Sequence, residues 1–479
     1  MGFSTLEIGK TSLLAQRYGL EVTSNNISNA NTEGYSRKRA DLATIQSRYT
    51  AGNFVGTGVI ADQLKSFREE FFDKEIRNSI TRNAGYESDQ TILKKVEGIL
   101  GEPSENGLNN LISDFFISWD QLANNPDNTG YRQKAISDAT QMTDKFHQLA
   151  EGFDEARLDV LEQVKEGVDE VNSIAKELAE INSRIVDSHS SAHEGDINMA
   201  DERELAIEQL AEYGKVNVHH NDDGTVNVHL NGINLVTGKS LNQIKLVETT
   251  NATTNERTIS LYTTDNQGNL LNRVNPGAGK LENQMKHYNE TLDKDDTSGN
   301  FSIAKSVHEL AKEIAANVNM AAVSGFGLND TGAVPPGRSF FVPYPTDADA
   351  SSIRLNSVIA NDSDNIPLSS VAGESGNNQI ALQIAALADD INFINNRTPG
   401  EFYSDIIAKA GNMLNDSQIG LKNSTMVLDQ MKNQRDTVIG VNLDEEAVNL
   451  IKFQRSFEAA SRVVNMADEV LGTIVNLGR

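Results

Sequence analysis

Residues 443–479 read LDEEAVNLIKFQRSFEAASRVVNMADEVLGTIVNLGR. Leu450, Phe453, Phe457, Ala460, Val464, Ala467, Leu471 and Ile474 follow one another in alternating steps of three and four. A spacing that averages 3.5 holds one line of side chains against a single partner helix, the signature of a coiled-coil seam. Asp444, Glu445 and Glu446 fall in the first turn, where the helix dipole favours negative charge. Val463, Val470 and Leu477 widen the stripe, so the helix is expected to touch more than one neighbour.

The opposite terminus offers a partner. Ser4-Thr5-Leu6-Glu7 has the form of a capping box, with Phe3 and Ile8 placed for a hydrophobic staple. Leu6, Leu13, Leu20 and Ile27 then recur every seven residues, with Lys10, Arg17 and Ser24 in the alternate positions. One apolar line is too thin to hold a helix alone. The two terminal helices are therefore expected to pair, and these residues, with the seam of residues 450–474, form the expected assembly interface.

Between the termini the chain changes period several times. Gly107 to Leu122 is short and aromatic (Phe115, Phe116, Trp119), and residues 130–189 contain no proline. Helical spacing there runs from Phe146 through Leu149, Phe153, Val160, Val164, Val171 and Leu178 to Ile185. A break near Gly152 or Gly167 is expected, giving two helices. From Lys215 to Asn272 the period is two, with Val216 and Val218 followed by Val226, Val228 and Leu230. Parity pairs Val216 with Leu230 and Val218 with Val228, leaving an odd loop centred on Asp223 with Gly224 free to turn left-handed. Helical spacing returns over residues 303–318, 380–391 and 401–438.

The expected fold is mainly α with a β-rich insert (α+β). Residues 1–50 with 440–479 make an inner coiled-coil domain, and 51–214 with 300–439 a rod-like helical bundle. Residues 215–299 form a small β subdomain, and 334–375 a short proline-rich outer segment.

Composition narrows the function classes. The 479 residues include 42 basic and 68 acidic side chains, a net charge of −26. That balance argues against nucleic acid or an anionic membrane as partner, because both require concentrated Lys and Arg. There are no cysteines, hence no disulfides, thiolate metal sites or cysteine nucleophiles. The N-terminus lacks the basic and unbroken apolar regions of a secretory signal, and no apolar run is long enough to span a bilayer.

Catalytic and metal motifs are incomplete wherever they begin. His308-Glu309-Leu310-Ala311-Lys312 has lysine where a zinc-protease motif needs its second histidine, so His308 is expected on the surface. His219 and His229 could lie diagonally across one hairpin without a third ligand. Asn221-Asp222-Asp223-Gly224 begins like a calcium loop but reaches no bidentate glutamate, and Gly56-Thr57-Gly58 lacks the third glycine of a dinucleotide site. No cofactor, metal or catalytic residue is expected.

Asn25-Asn26-Ile27-Ser28-Asn29-Ala30-Asn31-Thr32-Glu33-Gly34-Tyr35-Ser36-Arg37 resembles the N-terminal signature of bacterial flagellar axial proteins, the family of rod, hook and hook-associated proteins. Tyr35 before Ser36-Arg37-Lys38 looks like the hook-associated version. Val55-Gly56-Thr57-Gly58-Val59 with Arg68 to Asp73 is similar to the segment after that family's first helix. Gly440 to Ala447, including Leu443, Asp444, Glu445 and Glu446, and Phe453 to Ala459 resemble its C-terminal signature. The resemblance implies a structural subunit that polymerises at the distal end of the hook. It implies export without a cleaved signal, by the flagellar type III route, to the extracellular flagellum. The implied partners are further copies of the chain, hook protein, hook-associated protein 3 and an export chaperone on the C-terminal helix. Two alternatives stay open: another axial protein, or a secreted enzyme or adhesin carried on axial-type ends. In the signature, the asparagines and Gly34 are expected to supply the caps and left-handed turns that lead the chain away from the first helix.

Overall fold

The computed structural model describes the backbone of all residues except 1, 33, 47, 51–52, 189–193, 266, 347 and 478–479. The side chains of 2–4, 48–50, 53–55, 63, 188, 194–197 and 474–477 are likewise outside the description. Phe3 and Ser4 of the expected staple and capping box, Glu33 and Val55 of the signatures, and Ile474 and Leu477 of the terminal stripe therefore lie outside the described residues or side chains.

Helix α1 (Gly2–Ser28) leads into strands β1 (Lys38–Thr44), β2 (Arg48–Thr50), β3 (Asn53–Val55) and β4 (Val59–Ser66). β1 pairs with β4 and β2 with β3, all antiparallel, making an arm that no periodicity in the sequence announces. The arm lies on α1: Gly58 sits at φ +116°, and a Cβ there would overlap the Thr11 hydroxyl. Next come α2 (Glu70–Leu100), α3 (Leu108–Asn124), α4 (Thr129–Ser188) and α5 (Glu194–Tyr213).

Helix α4 is one unbroken element of 60 residues, roughly 90 Å long at about 1.5 Å per residue. The expected break is absent because both glycines do packing work. A Cβ on Gly152 would lie 2.9 Å from Ile99 Cγ2 of α2, and one on Gly167 would lie 2.9 Å from Leu281 Cδ2. Glycine here is a point of close approach that helical backbone tolerates at about 1 kcal/mol relative to alanine. Phe146, Leu149, Phe153, Val160, Val164, Val171, Leu178 and Ile185 are all buried along the rod.

Against α4 lie two antiparallel sheets. β5 (Val216–His220), β6 (Val226–Leu230), β7 (Ile233–Thr237) and β8 (Ser240–Leu241) form the first, in that order. Its register matches Val216 with Leu230 and Val218 with Val228, and Gly224 takes φ +81° in the loop, as parity requires. β9 (Gln243–Thr250), β10 (Arg257–Thr264) and β11 (Leu270–Val274) form the second, with β10 central. Two asparagines of α4 fasten the sheets. Asn172 bonds both the N–H and C=O of Ile244 at 2.8 Å, and Asn182 does the same to Val226 at 3.1 and 2.9 Å.

The chain returns through α6 (Gly279–Lys286), a π-helical turn at His287–Thr291 and α7 (Ile303–Ala322). The proline-rich segment carries β12 (Phe341–Val342), β13 (Arg354–Leu355) and α8 (Ser357–Asn361). It sends Phe340 and Phe341 into the core, where their rings meet Phe115 and Trp119 of α3 at centroid distances of 5.0–6.1 Å. Asn319 of α7 receives the N–H groups of both phenylalanines at 2.8 Å. His308 is buried, contrary to the surface position expected, because this segment folds over α7 and brings Asp349 to 3.5 Å from its ring. α9 (Gln379–Ala386) is shorter than its apolar spacing predicts and gives way to a 3₁₀ turn. α10 (Pro399–Ile439) starts at a Thr398–Glu401 capping box, and α11 (Leu443–Leu477) ends the described chain. Among the described residues, no helix is long and apolar enough to cross a membrane.

Candidate assembly site

α1 and α11 pack antiparallel along one another. A Cβ on Gly9 would lie 2.6 Å from Val464 Cγ2, and one on Gly19 would lie 2.6 Å from the Phe453 ring. The two large side chains are thus seated on glycine, which lets the helix axes approach. Ala15 and Val22 of α1 and Ala460 and Ala467 of α11 complete the buried contact. The seam read from α11 therefore faces α1 of the same chain, with Leu450, Phe453, Phe457, Val464 and Leu471 partly buried along it. On α1 the closest contacts fall at Gly9 and Gly19, off the leucine line: Leu6, Leu13, Leu20 and Ile27 are only partly buried and flank them. A side-chain search that counts only apolar residues misses a seam built on glycine.

The pair leaves a second apolar face open. Val448 (65% exposed), Ile451 (55%), Met466 (64%) and Val470 (49%) stand on the outer side of α11, and Val463 joins them. Their steps of three, fifteen and four, with Ala459 and Val463 between, keep to one broad helical face.

At the base of the pair the signature residues meet. Asn26 is 1% exposed and uses every position of its amide. Its Nδ2 donates to Lys38 O at 2.8 Å and to Glu446 Oε2 at 3.0 Å. Its Oδ1 accepts from Lys38 N at 3.0 Å and from the Tyr35 hydroxyl at 2.8 Å. Asn29 folds back on Asn25, donating to its Oδ1 at 2.8 Å and to its C=O at 3.0 Å. The left-handed turn falls at Gly34, φ +78°, and the described asparagines of the signature all keep negative φ. They thus act through their side chains, and Asn31 stays exposed at the rim.

From this point ion pairs reach into both neighbouring regions. Arg37 grips Glu446 (Nη2–Oε1 2.8 Å) and Glu445 (Nη1–Oε2 2.8 Å), tying the signature to the first turn of α11. Asn442 caps that turn by accepting from Asp444 N at 3.0 Å, while Leu443 remains half exposed. Ser36 donates to Asp201 Oδ1 at 2.6 Å, and Arg68 joins Asp201 (3.2 Å) to Asp73 (2.9 Å). Arg77 pairs with Glu204, and Arg435 of α10 with Glu208 at 2.8 Å. Burial raises the pKa of Glu204, against the pull of Arg77 and Arg68. Burial, then the charges of Asp201 and Glu446, push the Tyr35 hydroxyl well above its usual range, keeping it a neutral donor.

Asp73, Glu204 and Glu208 bring carboxylate oxygens within 4.8 Å of one another, the spacing of a cation site. Each is already held by an arginine, Arg68, Arg77 or Arg435, so the positive charge there comes from the protein itself. Of the signature residues named from the sequence (Asn25, Asn26, Asn29, Asn31, Gly34, Tyr35, Leu443, Asp444, Glu445 and Glu446), the joint gathers Asn25, Asn26, Asn29, Tyr35, Glu445 and Glu446, and it adds Asp201, Glu204 and Glu208, which sequence reading did not supply. Those three lie on one face of α5, at steps of three and four, but more than 160 residues from Ser36.

Three family models match the chain. "Flagellar hook-associated protein FlgK helical domain" covers residues 93–341, "Flagellar basal body rod FlgEFG protein C-terminal" covers 438–477, and "Flagella basal body rod protein" covers 6–35. Flagellar hook-associated protein 1 of Bacillus subtilis (strain 168) is 25% identical, the match spanning 99% of this chain and 98% of that protein. The protein of the same name from Escherichia coli (strain K12) is 22% identical over 99% and 100% of the two chains. A solved structure, the flagellar hook junction protein FlgK from Burkholderia pseudomallei, superposes with a TM-score of 0.61 at 14% identity. It covers 76% of this chain and 100% of its own, and shows the likeness of fold.

Proposed function

We infer from its membership of the flagellar hook-associated protein FlgK family that this chain is a structural subunit which polymerises at the distal end of the hook to form the hook–filament junction. The observation that carries the mechanism is the uncovered apolar face of α11. The inner seam is satisfied within the chain, so the outer face of Val448, Ile451, Val463, Met466 and Val470 is left for neighbouring subunits. Each large side chain contributes roughly 1.5–3 kcal/mol when fully buried, and repetition around a ring or helical zone multiplies it. The residues named from the sequence as the assembly interface divide between roles in this reading. The α11 seam builds the pair, while the flanking leucines of α1 border the surface presented to neighbours.

The partners in this reading are copies of the chain, hook protein on one side and hook-associated protein 3 on the other. An export chaperone would cover the α11 stripe before assembly, and the family resemblance supports export by the type III route, uncleaved, to the outside of the cell. A structural role of this kind needs no catalysis, and we read the chain as a non-enzyme.

The test adds purified protein to isolated hooks lacking filaments and images the tips by electron microscopy. A short zone at the distal tip, needed for later filament growth, is the expected result. Met466→Asp places charge on an already exposed position, so the monomer keeps its circular dichroism spectrum yet fails to add to hooks. Phe457→Asp, on the inner seam, loses assembly together with α1–α11 pairing. Normal junctions from the Met466→Asp protein would remove the outer face from the mechanism, and failure of the wild type on competent hooks would overturn the junction role.

A further inference from the structure

We propose that the groove between α3, α9 and the start of α10 is a docking site for a cationic, amphipathic helix supplied by a protein other than this chain. The groove encloses about 950 Å³. Phe116, Ile117, Leu382 and Ala386 line it together with four carboxylates, Asp120, Asp389, Glu401 and Asp405, and no lysine or arginine is among its lining residues. The apolar part is open to solvent, with Ile117 48% and Leu382 42% exposed. Contiguous exposed apolar surface framed by polar groups marks an interaction site.

Shape and charge together specify the occupant. Asn109, Ser113, Ile117 and Asp120 line the groove at steps of four, four and three along α3, so it follows that helix for about three turns, roughly 16 Å. A helix laid in such a groove anchors apolar residues at the same spacing. Asp405 already has Arg397 at 2.5 Å, and Glu401 closes the Thr398 capping box. Asp120 and Asp389 pair with no described cation, leaving two carboxylates for basic residues flanking the apolar anchors. The net charge of −26 argues against a second copy, since acidic surface would meet an acidic rim. The groove adjoins the N-terminal end of α10, whose 41 residues put it roughly 60 Å from the α11 end. The inference goes beyond the junction reading and does not depend on it.

The probe is a fluorescein-labelled synthetic peptide of about 14 residues, with leucine and lysine at helical spacing, titrated into the full-length protein and followed by anisotropy. Saturable binding is expected, weakened at least about tenfold by Asp120→Lys with Asp389→Lys and by Ile117→Ser, all at exposed positions. A scrambled peptide of equal composition is expected to bind about tenfold more weakly. Because the chain has no cysteine, Ser113→Cys accepts a single environment-sensitive dye, and its emission is expected to change as the peptide binds. Equal binding of the scrambled peptide, of a leucine–glutamate analogue, or by the groove variants would overturn the proposal by assigning the effect to diffuse charge. An unchanged dye at saturation would overturn it too. Self-association of the wild type that Ile117→Ser abolishes would assign the groove to a second copy instead, and likewise overturn it.

Discussion

An amide side chain presents a donor and an acceptor side by side, as a peptide group does to a neighbouring strand. Asn26, Asn172, Asn182 and Asn289 each use that pair on one backbone residue: Lys38, Ile244, Val226 and Ile259. Each joins a helical segment to a strand where no regular ladder exists. Burying such groups is tolerable only while all are paired, and an orphaned partner costs about 1–3 kcal/mol. Asn26→Ala orphans the N–H and C=O of Lys38 together with Glu446 Oε2, so a loss of about 2–4 kcal/mol is expected in urea denaturation. Asn31→Ala, at an exposed neighbour, is expected to change stability by no more than about 0.5 kcal/mol. The sequence displays these asparagines openly but hides their function. Asn26 meets Glu446 across 420 positions, and nothing local distinguishes it from Asn31.

Elements were legible where periodicity was long and misleading where glycine interrupted it. The β5–β6 register follows from parity because one face of valines must stay together. Helix α4, by contrast, runs through Gly152 and Gly167 because each glycine is matched to a side chain from another element. Two opposed effects act on alanine at these sites: about 1 kcal/mol gained from helix propensity and about 1–3 kcal/mol lost to overpacking. At Gly167 the neighbour Leu281 is fully buried and has nowhere to move, so Gly167→Ala is expected to lower stability by about 1 kcal/mol. At Gly152 the partly buried Ile99 can shift, and Gly152→Ala is expected to be neutral or slightly stabilising. Thermal melts of the two proteins side by side check the contrast. The β1–β4 arm escaped the sequence reading for another reason: β2 and β3 are three residues each, β1 is mostly exposed or half-buried, and the β1–β4 register shifts after Asp41.

For the whole molecule, the joint of ion pairs is where the terminal helices, the arm and the helical rod are made one body. Its acidic half is sensitive to pH in a definite direction. Glu204 has a folded pKa raised above its unfolded value near 4.5, so its burial destabilises the fold increasingly as pH rises from 4.5 through the folded pKa. Replacing it by glutamine removes that dependence. The stability difference between Glu204→Gln and wild type is therefore expected to shift in favour of the variant between pH 4.5 and neutrality, measured by denaturant titration at each pH. A difference that stays flat across that range would show that Glu204 exchanges its proton alike in both states, and one that moves the other way would show that folding lowers its pKa instead. This joint is the part of the site least legible in the sequence, since charges on α2, α5 and α10 converge only after the rod has folded.

The Ser28 end of α1 and the Leu443 end of α11 emerge together at that joint, and the arm gives α1 a second support where Gly58 meets Ile8 and Thr11. In mechanical terms the pair is a beam clamped at its root and propped partway along, roughly 50 Å long, given about 1.5 Å for each of the 35 residues of α11. A sideways force at its tip is shared between the arm and the root, where Asn26, Arg37 and Glu446 are bonded together. The three side chains at the clamp and the contact at Gly58 thus hold the beam at two points, and the coiled seam carries the load between them.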